Sequence, residues 1–163
     1  MIILGIDPGS RFTGWGVISY QSNHMTCVSA GRIVLKEESF AHRMRILYDS
    51  ISEVIEEYQP ECIAIEDVFV SKNARSALKL GHARGVLMLA VSKYGQIPVE
   101  ISARKVKQAI TGSGAADKAK VAMMLKHLLS LKDSLSADAS DALGIAIACG
   151  HMVYKNQRLG DMR

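Results

Sequence analysis

The chain opens on a run in which apolar side chains occupy both parities. Ile2, Leu4 and Ile6 fall on one face of an extended segment, and Ile3, Gly5 and Asp7 on the other. That is the pattern of a strand covered on both sides at the centre of a sheet. Pro8 and Gly9 end it. The stretch GWGVISYQSNHMTCVSAGRIVL then reads as two further strands, over 13–20 and 24–34, joined around Ser22 and Asn23. From 41 to 58 the period changes: Met44, Leu47, Ile51, Val54 and Ile55 recur at helical spacing, and Pro60 marks the stop. ECIAIED supplies a short strand, 74–94 a helix capped by Asn73 with Gly95 beyond it, and IPVEIS another strand. ARKVKQAIT is a short helix ended by GSG, AADKAKVAMMLKHLL is a second, and an apolar helix beginning near Ser136 or Ala137 closes the chain. Strands first, then helices alternating with strands, predict a mixed α/β layer fold.

The 163 residues, 48% hydrophobic and 22% charged, have the composition of one globular domain over 1–163 with a substantial core. No stretch approaches about 18 uninterrupted apolar residues and no basic segment leads into an apolar one at the start, so neither membrane span nor export signal is expected. Cys27, Cys62 and Cys149 lie far apart in apolar surroundings without a CxxC pair. Buried thiols in a reducing cytoplasm are expected. The net charge of +4 conceals a division: residues 1–71 carry 5 basic and 10 acidic side chains, whereas 72–126 carry 11 basic and 2 acidic ones. A basic middle is either a solvated face or the footprint of a polyanion.

Four acids stand out. Asp7 and Glu66 end predicted strands, and Glu66 points opposite to its neighbour Asp67, so only one of that pair can face the same site. Asp138 and Asp141, three residues apart on a helix, lie about 60° from each other on one face. Each has an ordinary alternative. Asp138 suits the positive end of a helix dipole, Glu66 a salt-bridged strand end, and Asp7 an Asx-type turn into Pro8 and Gly9. Taken together they suggest more, because the carboxyl ends of neighbouring parallel strands border the crevice where open α/β sheets bind ligands. Gathered carboxylates repel unless neutralised, and hard oxygen donors suit magnesium or manganese. Two such ions beside a phosphate backbone suggest hydrolysis of nucleic acid.

The basic residues fit that chemistry. Lys72, Arg75, Lys79 and Arg84 precede Arg104, Lys105, Lys107, Lys118 and Lys120, which surround the TGSG turn. Its Gly112 and Gly114 either permit close backbone approach to a phosphate or simply turn the chain between helices. His82, His127 and His151 do not join the acids by helical arithmetic.

IILGIDPGSRFTGWGVI, IAIEDVFVSKNARSALKLGHARG, VKQAITGSGAADKAKV and ADASDALGIAIACGH, in this order and at these separations, resemble the RuvC family of Holliday junction resolvases over almost the whole chain. The resemblance implies a ribonuclease-H-like fold with a central mixed five-stranded sheet flanked by helices. It further implies a homodimer that nicks opposed strands of a four-way DNA junction, leaving 5′-phosphate and 3′-hydroxyl ends. One or two magnesium ions per subunit, with manganese as substitute, would be held by the catalytic acids, which carry over to Asp7, Glu66, Asp138 and Asp141. Lys107 and Lys118 match catalytic and DNA-binding basic positions, and Phe69 matches an aromatic that helps disrupt base stacking. SALKLGHARG resembles the helix of the dimer contact, with Leu78, Leu80, Gly81, Ala83 and Gly85 as interface candidates. Cooperation with a branch-migration motor complex is also implied.

Two positions depart from the family pattern: Asp67 stands where glutamine is expected, and Gly144 where alanine is more usual. The first adds charge beside Glu66, and the second loosens the last helix by up to about 1 kcal/mol. Three other readings remain: a related nuclease of the same fold acting on another nucleic acid, a non-catalytic branched-DNA-binding module, and an ATPase of the actin and sugar-kinase type. The last should need a longer chain and a second phosphate loop.

Overall fold

Five strands form a single sheet in the order β3-β2-β1-β4-β5, namely β1 (Ile2–Asp7), β2 (Phe12–Gln21), β3 (His24–Val34), β4 (Cys62–Asp67) and β5 (Val99–Ser102). The computed structural model describes residues 1–21, 24–36, 38–67, 73–131 and 133–160, with side chains as far as 155. The Ser22–Asn23 connection, Phe69 and Lys72 therefore lie outside the described residues. β2 runs antiparallel to β1 and β3, while β1, β4 and β5 run parallel. Helices α1 (Phe40–Tyr58) and α2 (Ala74–Lys93) cover one face, and α3 (Ala103–Thr111), α4 (Lys118–Leu128) and α5 (Ala137–Gly160) the other. This is the expected mixed sheet, consistent with a ribonuclease-H-like fold.

The two parities of β1 feed two cores. Leu4 and Ile6 join Val17, Ile63, Ile65, Leu47 and Ile51 beneath α1 and α2, whereas Ile3 joins Ile18, Ala64, Ile101 and the buried side of α5. Asp7 continues the parity of Ile3, and Glu66 that of Ala64, so both acids are directed to the α5 face. Asp67 takes the opposite parity, toward α2. The predicted caps are present: the Asn73 side chain accepts hydrogen bonds from the Arg75 and Ser76 amides. Ala83 is fully buried in the α2 core, which removes it from the candidate contact surface.

Glycine decides how closely α5 can approach. A Cβ on Gly5 would lie 2.1 Å from the Ala142 carbonyl oxygen, and one on Gly14 only 2.0 Å from that of Asp138. Backbone on backbone cannot yield as a side-chain tip would, so alanine at Gly5 forces the helix outward. Gly5→Ala is expected to destabilise by about 2–3 kcal/mol through overpacking and to lower nuclease activity by displacing the acids on α5. A thermal melt matching that of the parent would refute this. The three cysteines are free thiols, Cys149 buried and Cys27 and Cys62 half-buried, with the Cys62 and Cys149 sulfurs 3.1 Å apart. No helix among the described residues is long and apolar enough to cross a membrane.

Candidate active site

The register pairs Ile6 with Ile65, so the next residues, Asp7 at the end of β1 and Glu66 one residue before the end of β4, lie side by side on adjacent parallel strands with their side chains toward α5. The turn after Asp7 is fixed independently of the acid. Buried Thr13 accepts a hydrogen bond from the Gly9 amide (3.2 Å) and donates one to the Gly9 carbonyl (2.9 Å). Gly9 is thereby satisfied by Thr13, leaving the Asp7 carboxylate for the site.

α5 brings the other pair. Ser136 caps it, its hydroxyl accepting from the Ala139 amide at 3.3 Å, so the Asp138 side chain is not needed as the cap. The backbone of Asp138 is seated on Gly14, which is paired in register with Asp7. One turn on, Asp141 lines a cleft of about 230 Å³ together with Glu66, Lys107, Lys118 and Ser140. Val106 and Leu125 form part of its apolar wall.

The carboxylates sense one another. Asp7 is pushed up to about 8, first by burial, then by the charges of Glu66 and Asp141, by a hydrogen bond shared with Glu66 and by Asp138. Burial raises Glu66 and Asp141 as well, and the Lys118 ammonium opposes the rise in both. Among the described residues, no three His, Cys, Asp or Glu side chains stand close enough to grip an ion as they are. Gathered carboxylates repel one another, and a divalent cation is the partner that would relieve the repulsion. The donor set is all hard oxygen, so magnesium or manganese fits it.

The two helices that supply Lys107 and Lys118 begin on cations in a way that helix energetics disfavours. α3 starts with Arg104 and Lys105, and α4 with Lys118 and Lys120, all in first turns where the dipole is positive. Only the Asp117 cap, accepting from the Lys120 amide at 2.8 Å, offsets this on α4. Such an arrangement suits a polyanion laid across both helix starts.

A family model described as "Crossover junction endodeoxyribonuclease RuvC" matches residues 3–151. The chain belongs to the RuvC family. A RuvC from Citrifermentans bemidjiense is 46% identical over the full length of both chains, and one from Geobacter sp. strain M21 is 49% identical over the same coverage. The solved structure "T. thermophilus RuvC in complex with Holliday junction substrate" superposes with a TM-score of 0.87 at 30% identity, covering 96% of each chain. RuvC enzymes are catalytic nucleases that use divalent metal ions, and the carboxylate site described above has the chemistry for it.

Against that background, the remaining RuvC candidates divide. Lys107 and Lys118 line the cleft with Glu66 and Asp141. Arg75, Lys105 and Lys120 are exposed and Lys79 half-exposed, available to a backbone. Arg84 is not: its guanidinium pairs with Glu100, lies 4.0 Å from Asp67 and donates from Nε to the Glu66 carbonyl at 3.3 Å. It buttresses the end of β4 and offsets the extra charge of Asp67. Gly112 takes φ +78° as the left-handed cap of α3, and its amide is committed to the Gln108 carbonyl at 2.9 Å. That amide cannot also cradle a phosphate. A Cβ on Gly114 would meet Arg104 Cγ at 2.7 Å, so this glycine makes room for a basic side chain. Gly144 lets α5 approach Val106 and Ile110 of α3, each 3.1 Å from where its Cβ would stand. Phe69 and Lys72 lie outside the described residues.

Sequence reasoning missed Ser140 and Arg32. Ser140 was legible only as the residue before Asp141. Arg32 sits on β3, within the acidic segment 1–71, and its Nη1 lies 3.6 Å from Asp138 Oδ2.

Proposed function

We propose that the protein resolves four-way DNA junctions as a structure-specific endonuclease, hydrolysing phosphodiesters to leave 5′-phosphate and 3′-hydroxyl ends. The observation that carries this is the meeting of acids from β1, β4 and α5 opposite Lys107 and Lys118 in a chain of the RuvC family. Asp7, Glu66, Asp138 and Asp141 would hold one or two magnesium ions, with manganese as substitute. Bound there, the metal would supply Lewis-acid chemistry that activates water and offsets charge on the leaving 3′ oxygen.

The chain's own residues do the rest. Burial and the neighbouring carboxylates favour a neutral Asp7 beside Glu66, and a bound cation would favour the anionic form that serves as a donor. Lys118, whose charge is felt at Glu66 and Asp141, and Lys107 on α3 orient the scissile phosphate and screen its growing negative charge. The apolar wall of Val106 and Leu125 limits water and strengthens those interactions.

Paired nicking needs two such sites. α2 presents an outward apolar face on which Leu78 is 64% and Leu89 61% exposed, beside a hollow lined by Gly81 and Gly85. A two-fold contact through this face gives a homodimer whose symmetry matches an opened junction. Leu78→Glu is expected to yield monomers in light scattering and single nicks in place of paired cuts; an unchanged dimer mass would remove this helix from the contact. The same reading includes cooperation with a branch-migration motor and, with a DNA substrate and three free thiols, a cytoplasmic setting.

The test is cleavage of a synthetic mobile junction in magnesium or chelator, with linear duplex and an RNA–DNA hybrid as controls. Symmetric metal-dependent nicks confined to the junction support the proposal. Tight junction binding without cleavage leaves a binding module, and cutting of the duplex or hybrid instead moves the activity to another nucleic acid.

A further inference from the structure

One ion pair at the site is supplied from outside the acid and lysine set. Asp7, Gly14 and Arg32 form a continuous row across β1, β2 and β3, because Asp7 pairs with Gly14 and Gly14 with Arg32. The first turn of α5 is seated on the bare middle position of that row, with the Asp138 carbonyl oxygen 2.0 Å from where a Gly14 Cβ would be. Asp138 thus stands between a carboxyl group on one side and a guanidinium on the other. Arg32 Nη1 reaches to 3.6 Å from Asp138 Oδ2.

The guanidinium is itself held. Phe12 and Gly14 share a face of β2, their partners on β3 being Val34 and Arg32. From that position the Phe12 ring lies beneath Arg32, with the guanidinium carbon 4.6 Å from its centroid. A planar cation stacked on an aromatic face keeps its orientation better than a free lysine would. Phe12 is 43% exposed, more than a packing role alone would favour for an aromatic side chain. Stacking against Arg32 accounts for that exposure.

We propose that Arg32 is a positioning residue for the metal site: it holds Asp138 through Oδ2 and leaves the other oxygen turned to the ion. This rests on the carboxylate-metal reading above. Two opposing effects follow from removing Arg32. Asp138 loses its orientation, and outer partners that orient a ligating carboxylate commonly contribute 10–100-fold to metal affinity. A positive charge near the ion is also removed, which favours cation binding. With the Arg32 side chain 41% exposed, water screens the second effect, so loss of orientation dominates.

The test is direct manganese binding to the DNA-free protein, followed by calorimetry, for the parent, Arg32→Gln, Arg32→Lys and Phe12→Leu. Arg32→Gln is expected to bind manganese about 10-fold more weakly, Phe12→Leu to fall between it and the parent, and Arg32→Lys to recover part of the loss. Junction affinity measured in chelator should be unchanged in all of them. Manganese affinity in Arg32→Gln equal to or tighter than that of the parent overturns the proposal. So does a fall in junction affinity with manganese binding unchanged, which would make Arg32 a phosphate contact. Should Arg32→Gln fail to fold, the order of Arg32→Lys and Phe12→Leu against the parent decides the matter. A protein that binds manganese as expected yet cuts no junction would defeat the assigned activity while leaving this inference standing.

Discussion

Asp7→Asn is expected to abolish junction cleavage, by about a thousandfold or more, while making the metal-free protein more stable. The two effects share one cause. Asp7 is buried among carboxylates and holds its proton up to about pH 8, so its charged form is a strain on the fold until a cation arrives. Asparagine has nearly the same shape, keeps an N–H to donate toward Glu66 and never ionises. Function and stability are opposed at this position.

The sign of the pH dependence follows. The folded-state value, about 8, lies above that of an unfolded aspartate near 3.9, so the native protein binds the extra proton. Below about pH 4 both states are protonated and Asp7 costs nothing. As pH rises from about 4 to 8, the unfolded chain releases a proton that the native state retains, and stability falls. Above about 8 the full penalty is present. In chelator, Asp7→Asn should match the parent near pH 4 and exceed it at pH 8 by on the order of 3 kcal/mol, about 6–12 °C in melting temperature. Magnesium or manganese should raise the parent's melting temperature and close most of that gap. A variant less stable than the parent at pH 8 without metal would contradict the arrangement.

Much of this site was legible because strand parity and helix periodicity act over short range. β1 is apolar on both parities, so its place at the sheet centre and the direction of Asp7 follow from Ile2 to Ile6 alone. Alternation in CIAIED separates Glu66 from Asp67, and the three-residue spacing of Asp138 and Asp141 puts both on one helix face. The family resemblance then selected among the chemistries that four acids allow.

What stayed hidden lies between distant segments. Nothing in SAGRIVL says that Arg32 will face Asp138, because that contact depends on Gly14 admitting the first turn of α5. Arg84 looked like a free cation within a basic run, yet Glu100 on β5 and Asp67 on β4 claim it. Gly112 left a phosphate cradle and a plain turn between helices both open, and its amide, bonded to Gln108, makes it the turn that closes α3. For Arg32 and Arg84 a local pattern leaves a charge apparently unpartnered and the tertiary structure supplies its partner.

Lys118→Gln is expected to lower cleavage by about 10²–10³-fold near neutral pH, with the loss largest at the acid end. Lys118 is the cation that opposes the rise of both Glu66 and Asp141. Without it their folded-state values climb further, more of each stays protonated at a given pH, and the acid limb of the pH–rate profile moves to higher pH. Raising the pH should therefore restore the part of the rate lost to protonation, but not the part lost with the charge beside the phosphate. Misfolding does not explain such a result, because Lys118 is an exposed cation in the first turn of α4. There the dipole disfavours positive charge by about 0.3–1 kcal/mol, so the variant should be as stable as the parent or more so. Lys126→Gln, at the other end of the same helix, removes one charge without touching the cleft and should leave the acid limb in place. If Lys118→Gln lowers the rate equally at every pH, then Lys118 acts on the phosphate alone and does not tune the acids across the cleft.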